Sequence, residues 1–246
     1  SIATKPTSSS QGELDSDRLD NWHQWRGPNA NGLAPKGNPP LQWDESTNIK
    51  WKVEIPGNGS STPIVWKNQV FVLTAVKTDR KPNTTDKPAD EDENPRSNRR
   101  GSRRRSFRMS TPTPTTLYEF VILCLDREMG KPIWKKVANQ EVPHEGHHPS
   151  HGYASASPTT DGQYLYASFG SRGLFCYNLQ GDLQWKRDLG NMRTRIGFGE
   201  GTSPVLHGNS LIVNWDHEGD SFIACLDAKT GEKKWRVHRD EEHTWA

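Results

Sequence analysis

The chain is poor in cysteine. Only Cys124, Cys176 and Cys225 occur in 246 residues, and no two form a CxxC pair. An odd count without paired spacing excludes a disulfide lattice and a cysteine-rich zinc framework. There is no run of 18 apolar residues, which excludes an ordinary membrane-spanning helix. Also missing are a GxSxG elbow, an HExxH helix, a phosphate loop and a dinucleotide fingerprint, and "GFGEG" at 197–201 departs from the nucleotide patterns. A large net charge is missing too, because 32 Lys and Arg against 30 Asp and Glu leave +2. Seven arginines between Arg96 and Arg108, with no acid among them, account for that value, and the rest of the chain carries −5. A basic nucleic-acid face on the fold itself is therefore not expected.

What is present points to short strands. Apolar residues make up 31%, against 21 Gly, 17 Pro and 10 Trp. The stretches "LDREMGKPIW" (125–134), "YNLQGDLQW" (177–185) and "LDAKTGEKKW" (226–235) share one pattern: an Asp or Asn, a glycine and a tryptophan. Each cysteine precedes a repeat tryptophan by nine or ten residues, as a small buried residue at one repeated strand position would. Trp51, Trp134, Trp185 and Trp235 are spaced by 83, 51 and 50 residues. The first interval contains a low-complexity tract, 78–116, acidic and then basic, which predicts disorder. Without it the period is about 50 throughout, in the range of propeller-type repeats.

A hydroxyl residue before proline opens each unit, in "SSTPIVW", "SASPTTD" and "GTSPVLH". Four strands per unit follow. In the second unit they are 153–159, 163–169, 174–177 and 183–188, and in the third 202–207, 210–215, 222–226 and 232–237. A four-stranded sheet cannot bury its faces alone, and radial stacking of such blades protects both. The expectation is an all-β propeller with blades at about 57–136, 150–188 and 200–237. It would carry an N-terminal closing strand at Trp51 and a disordered segment over residues 1–20. In the repeat turn the acid or amide starts the turn, Gly130, Gly181 or Gly231 supplies positive φ, and Trp51, Trp134, Trp185 and Trp235 dock neighbouring blades.

These motifs resemble the pyrroloquinoline-quinone-type (PQQ-like) β-propeller repeats of the quinoprotein alcohol dehydrogenase-like superfamily, over about residues 20–246. "WHQWRGPNANG", "HPSHGYASASPTTDG" and "FGEGTSPVLHGNSLIVNWDHEGDSFIACLD" are similar to its extracytoplasmic bacterial members. The resemblance implies six to eight blades in a complete wheel. The register then runs past Ala246, with a proline expected within a few residues.

Several clusters carry possible chemistry. "HEGHHPSHGY" places His144, His147, His148 and His151 within eight residues, either as a polar inter-blade loop or as a zinc or copper site. His151 and Tyr153 resemble a recurrent family segment at the entrance of a blade. In "NMRTRIGFGEG", Arg193, Arg195 and Glu200 either line a rim that holds an anion or form an Arg–Glu pair that pins the connector. "NWDHEGD" brings Asp216, His217, Glu218 and Asp220 to a turn, without the EF-hand spacing for Ca²⁺.

No convergent nucleophile, base or carboxylate pair is recognisable. The resemblance implies either of two functions. One is a non-catalytic extracytoplasmic scaffold, monomeric, that binds a protein or glycan, as assembly-factor lipoproteins with this repeat do, and needs no cofactor. The other is a PQQ- and Ca²⁺-dependent dehydrogenase of alcohols or sugars, whose family signature is a pair of adjacent cysteines that this chain lacks. The Arg96–Arg108 tract could also contact a polyanion.

Overall fold

The structure is a computed structural model, and it describes residues 16–82 and 111–242. The expected disorder of 1–20, the charged tract and its polyanion contact fall largely outside these residues. The described chain is all β, a propeller segment of three antiparallel four-stranded blades.

The first blade consists of β1 (Ile64–Trp66), β2 (Gln69–Lys77), β3 (Tyr118–Asp126) and β4 (Pro132–Glu141). The second has β5 (Thr159–Thr160), β6 (Tyr164–Ser168), β7 (Leu174–Asn178) and β8 (Leu183–Arg187). The third has β9 (Val205–His207), β10 (Ser210–Trp215), β11 (Phe222–Asp227) and β12 (Lys233–His238). Within each blade, strands pair in chain order.

Alternation along the strands explains the stacking, since residues of opposite parity face opposite ways. Phe120, Ile122 and Cys124 of β3 share a core with Leu165, Ala167, Phe175 and Tyr177 of the second blade. Val121, Leu123 and Leu125 face the other way, onto Trp51, Val53 and Ile55. Tyr166, Leu174 and Cys176 in turn meet Leu211, Val213, Phe222 and Ala224 of the third blade. A middle strand buried on both faces needs a continuous apolar run, and β3 supplies "FVILCL". Each large side chain so buried contributes about 1.5–3 kcal/mol.

The repeat turn has one geometry in the first and third blades and is a residue shorter in the second, where Gly181 N–H donates to Asn178 O and Gly130 and Gly231 N–H to Asp126 O and Asp227 O. Asp126 Oδ1 accepts from the backbone N–H groups of Glu128 and Met129, and Asp227 Oδ1 from those of Lys229 and Thr230. Asn178 Oδ1 accepts from those of Gln180 and Asp182. Gly130, Gly181 and Gly231 follow at φ 69°, 87° and 68°. A Cβ on each would sit 2.6–2.9 Å from the indole of Trp51, Trp134 and Trp185 respectively. The same indoles donate their Nε1–H to Arg127 O, Leu179 O and Ala228 O at 2.8, 3.0 and 2.9 Å. Trp235, on β12, is 43% exposed. Cys124, Cys176 and Cys225 pair in register with Trp134, Trp185 and Trp235, and beside each pair the register shifts by a bulge. A bulge re-aims the neighbouring side chain, here the tryptophan. Burial pushes the Cys124 and Cys176 thiols up to about 12, so they stay protonated.

The first strands converge through the hydroxyl-proline motif. Thr62 N–H donates to Ser157 Oγ at 2.9 Å, and Ser157 N–H donates to Ser203 Oγ at 2.9 Å. Each pre-proline amide thus reaches the equivalent hydroxyl of the next blade. A strap from the N-terminal segment adds to this: Val65 N–H donates to Trp22 O at 2.8 Å and Thr160 N–H to His23 O at 3.0 Å.

Several expectations need correction. Residues 153–158 form no strand, and the opening strand of the second blade is only Thr159–Thr160, because Ser157 N–H is spent on Ser203 Oγ and Ala154 O accepts from Ser60 N–H and Ser61 N–H. Residues 202–204 likewise precede β9. The 170–173 turn is a 3₁₀ turn, Gly170–Arg172. Residues 51–55 form no ladder with any described strand and pack through side chains alone, and the partners expected for the closing strand at Trp51 lie outside the described residues. The ends of the charged tract are ordered, because Thr78 N–H donates to Leu117 O and Leu117 N–H to Arg80 O, both at 2.9 Å. In the expected N-terminal tail, Asp17 pairs with Lys67 at 3.1 Å.

Candidate functional site

The loops that precede β5 and β9 meet the Gly170–Arg172 turn in a cleft between the second and third blades. Its walls include His144, Glu145, Tyr153, Arg172, Glu200 and Trp215. The glycine-rich connector 191–202 crosses this cleft.

Glu200 is the centre. Its carboxylate accepts from Ser171 N–H at 2.6 Å and Ser171 Oγ–H at 2.5 Å, with His144 Nε2 at 3.9 Å. Burial raises its pKa above the ordinary carboxylate range, against the opposing pull of Ser171, His144 and Arg172. Gly170 is required beneath it, because a Cβ there would lie 1.8 Å from Glu200 Oε2.

Arg172 spans the cleft floor. It pairs with Glu141 at 2.8 Å, donates to Val142 O at 3.3 Å and to His144 Nδ1 at 3.1 Å, and bonds Asn191 Oδ1. Donation to Nδ1 fixes the His144 tautomer, so Nε2 carries the hydrogen and donates to Met192 O at 2.6 Å. Glu145 accepts from Thr194 N–H and Thr194 Oγ–H, both at 3.0 Å.

The four histidines of the cluster do not converge. His147 Nδ1 donates to His148 O at 2.8 Å, His148 Nδ1 faces Ser150 Oγ at 2.7 Å, and His151 Nε2 faces Glu200 O at 3.2 Å. Among the described residues no three His, Cys, Asp or Glu side chains come together to hold a metal ion. Burial lowers the pKa of His151, and His147 and His148 lower it further. Tyr153 donates to Glu145 O at 2.9 Å, lies edge-on to Tyr118 and His147, and has its pKa raised by burial.

The remaining expected residues fall into separate groups. Glu200 does not pair with Arg193 or Arg195, because Ser171 captures it from the inside. Arg193 instead donates its N–H to His217 Nδ1 at 3.1 Å and its guanidinium to Glu218 O. Burial lowers the pKa of His217. Arg195 is exposed. Asp216 takes a two-pronged bond from Arg239, Nε at 2.8 Å and a terminal nitrogen at 3.1 Å, whereas Asp220 pairs with Arg236 and His238. Their carboxylates therefore share no Ca²⁺.

Sequence reading missed Glu145, Ser171, Arg172 and Thr194. Glu145 was visible between the histidines as the one acid of that loop. Ser171 and Arg172 carry no motif signal, because only the tertiary approach selects them.

Family and structural comparisons follow this geometry. A family model described as outer membrane protein assembly factor BamB, a PQQ-type model, matches residues 119–245. The chain belongs to this PQQ-like repeat family. A search of the curated proteins found no match. Among solved structures, quinohemoprotein alcohol dehydrogenase from Comamonas testosteroni aligns at TM-score 0.51 and 12% identity, covering 95% of this chain and 29% of that one. The quinohemoprotein alcohol dehydrogenase ADHIIG from Pseudomonas putida HK5 aligns at 0.48 and 13%, covering 94% and 28%. BamB from Moraxella catarrhalis aligns at 0.36 and 19%, covering 52% and 36%. At such identities the likeness to the Comamonas protein concerns the fold. The chain spans between 28% and 36% of the length of these structures.

PQQ and Ca²⁺, the pair implied by the resemblance as an alternative, meet no matching set of donors in this cleft. The three cysteines lie in three different blades, and the carboxylates of Glu145, Glu200 and Asp216 are each satisfied by a protein donor.

Proposed function

We propose that the chain is part of an extracytoplasmic β-propeller that binds a protein or glycan partner and catalyses no reaction. One observation carries the reading: the charged groups of the inter-blade cleft are taken up by hydrogen bonds within the protein. Glu200 is held by Ser171, Glu145 by Thr194, and Arg172 by four acceptors. A general base needs an open approach to a proton, and the hydrogen bonds from Ser171 and Thr194 occupy these carboxylates. The description of the matching family as an assembly factor of the outer membrane supports a role in contacting other proteins outside the cytoplasm. No helix among the described residues is long and apolar enough to cross a membrane. In this reading Trp51, Trp134 and Trp185 dock neighbouring blades against Gly130, Gly181 and Gly231, and His151, Tyr153 and Glu200 stiffen the rim instead of meeting a ligand.

Two measurements test the proposal. Purified protein incubated with PQQ and Ca²⁺ is expected to retain no quinone absorbance after desalting and to reduce no dye with alcohols. Saturable binding to members of a glycan array or to displayed peptides is expected. Alcohol-dependent turnover would overturn the proposal in favour of a dehydrogenase.

A further inference from the structure

The connector 191–202 has one backbone residue out of place. Ile196 adopts φ 59° and ψ 12°, the left-handed region, which a β-branched side chain rarely enters. Little burial offsets this, since the residue is 44% exposed. Phe198, two positions on, is 38% exposed. Strain of this kind costs about 1–3 kcal/mol and persists where the surroundings over-determine it.

The surroundings do so. Thr194 is clamped on Glu145, and Gly197 N–H donates to Thr194 O at 3.0 Å. Thr111 Oγ–H donates to Gly197 O at 2.9 Å, and His148 N–H to Phe198 O at 3.2 Å. The His148 ring stands edge-on to Phe198 at 5.5 Å. A rigid base thus holds an apolar tip out in solvent. Beside it lies a shallow groove of about 330 Å³ lined by His148, Ser150, His151 and Phe198.

Charge narrows what the tip can meet. Arg195 is exposed and has no ion-pair partner among the described residues, whereas the acids nearest in the connector and its base, Glu145 and Glu200, are turned inward onto Thr194 and Ser171. The outward face is therefore apolar and cationic.

We propose that Arg195, Ile196 and Phe198 form a docking point for a protein segment that carries an aliphatic or aromatic side chain beside an Asp or Glu. The apolar side chain lies against Phe198 in the groove, and the carboxylate meets the Arg195 guanidinium on the other side of Phe198, where both residues line a second hollow. This inference rests on the scaffold reading above and names the partner's chemistry and its place on the rim. The left-handed Ile196 fixes the tip in its binding form before the partner arrives, so less ordering is needed on association.

Selection from a displayed library of random twelve-residue peptides against the purified protein tests it, followed by fluorescence polarisation with the enriched peptides. Enriched sequences are expected to pair an acid with a large apolar residue. R195E and F198A are each expected to weaken them at least tenfold, with unchanged melting temperatures. Ile196→Gly is expected to melt no lower than the wild type yet bind at least threefold more weakly, which a purely structural role would not produce. Enriched peptides that bind R195E and F198A as well as the wild type overturn this inference and leave the scaffold reading standing. Glycan binding without any peptide enrichment has the same consequence. Absence of both peptide and glycan binding removes both.

Discussion

Gly181 sits at φ 87° with the Trp134 indole where its Cβ would be, so conformation and space both demand glycine. Gly181→Ala is expected to destabilise the fold by about 2 kcal/mol or more, read as a lowered denaturation midpoint, because left-handed strain adds to the clash. Gly190, at φ 94° with nothing within 4 Å of a Cβ, has the strain alone, and Gly190→Ala is expected to cost less. His23 is a second residue whose setting has a measurable consequence. It is buried with Nδ1 unpartnered, and burial, then Arg18, lowers its pKa below 6.5. The unfolded chain therefore takes up a proton more readily than the folded one. Stability from this site is full above pH 6.5 and declines as the pH falls toward the folded value. Glu200 acts in the opposite sense, since its raised pKa makes the fold bind a proton above 4.5 and lose stability as pH rises through that window. Thermal melts from pH 7 to pH 5 are expected to show a smaller loss in His23→Phe than in the wild type. A wild-type and variant loss of equal size would rule out His23 as a source.

At the scale of the element, the pre-proline hydroxyls explain why the first strands are so short. A residue before proline is pushed to extended geometry, and the proline itself has no N–H for a ladder. The chain compensates by sending the preceding N–H sideways to the next blade's hydroxyl. Ser157→Ala leaves the Thr62 N–H without its acceptor and is expected to cost about 1–3 kcal/mol, while Ser157→Thr is expected to retain most of the stability, both by urea denaturation. The motif was legible in the sequence as a repeated hydroxyl before proline, and its purpose was not, because the acceptor lies 95 residues away. The same contrast holds for Gly170–Arg172, whose residues read as a turn but did not reveal that they would cradle Glu200.

Across the whole molecule, stacking order sets where the structure is most protected. β3, β6 and β7 are covered on both faces, whereas every residue of β12 is exposed. Amide hydrogen exchange is expected to be slowest in Phe120–Leu125 and fastest, among the strands, in Lys233–His238. Equal protection would contradict the stacking order. The wheel itself was legible because one large residue recurring at a fixed interval leaves a periodic trace. The cleft was not, because it joins residues such as Glu145 and Thr194 from different units, and no periodicity records which loop side chains will meet.

The contacts between blades also have a sense of rotation. Trp51, Trp134 and Trp185 each reach forward onto the following turn, and Thr62 and Ser157 each donate forward to the following hydroxyl. One side of a blade therefore offers an indole and an amide, and the other offers a carbonyl and a hydroxyl. Two such sides are complementary but not self-complementary, so successive blades can stack only head to tail, every one facing the same way round the axis.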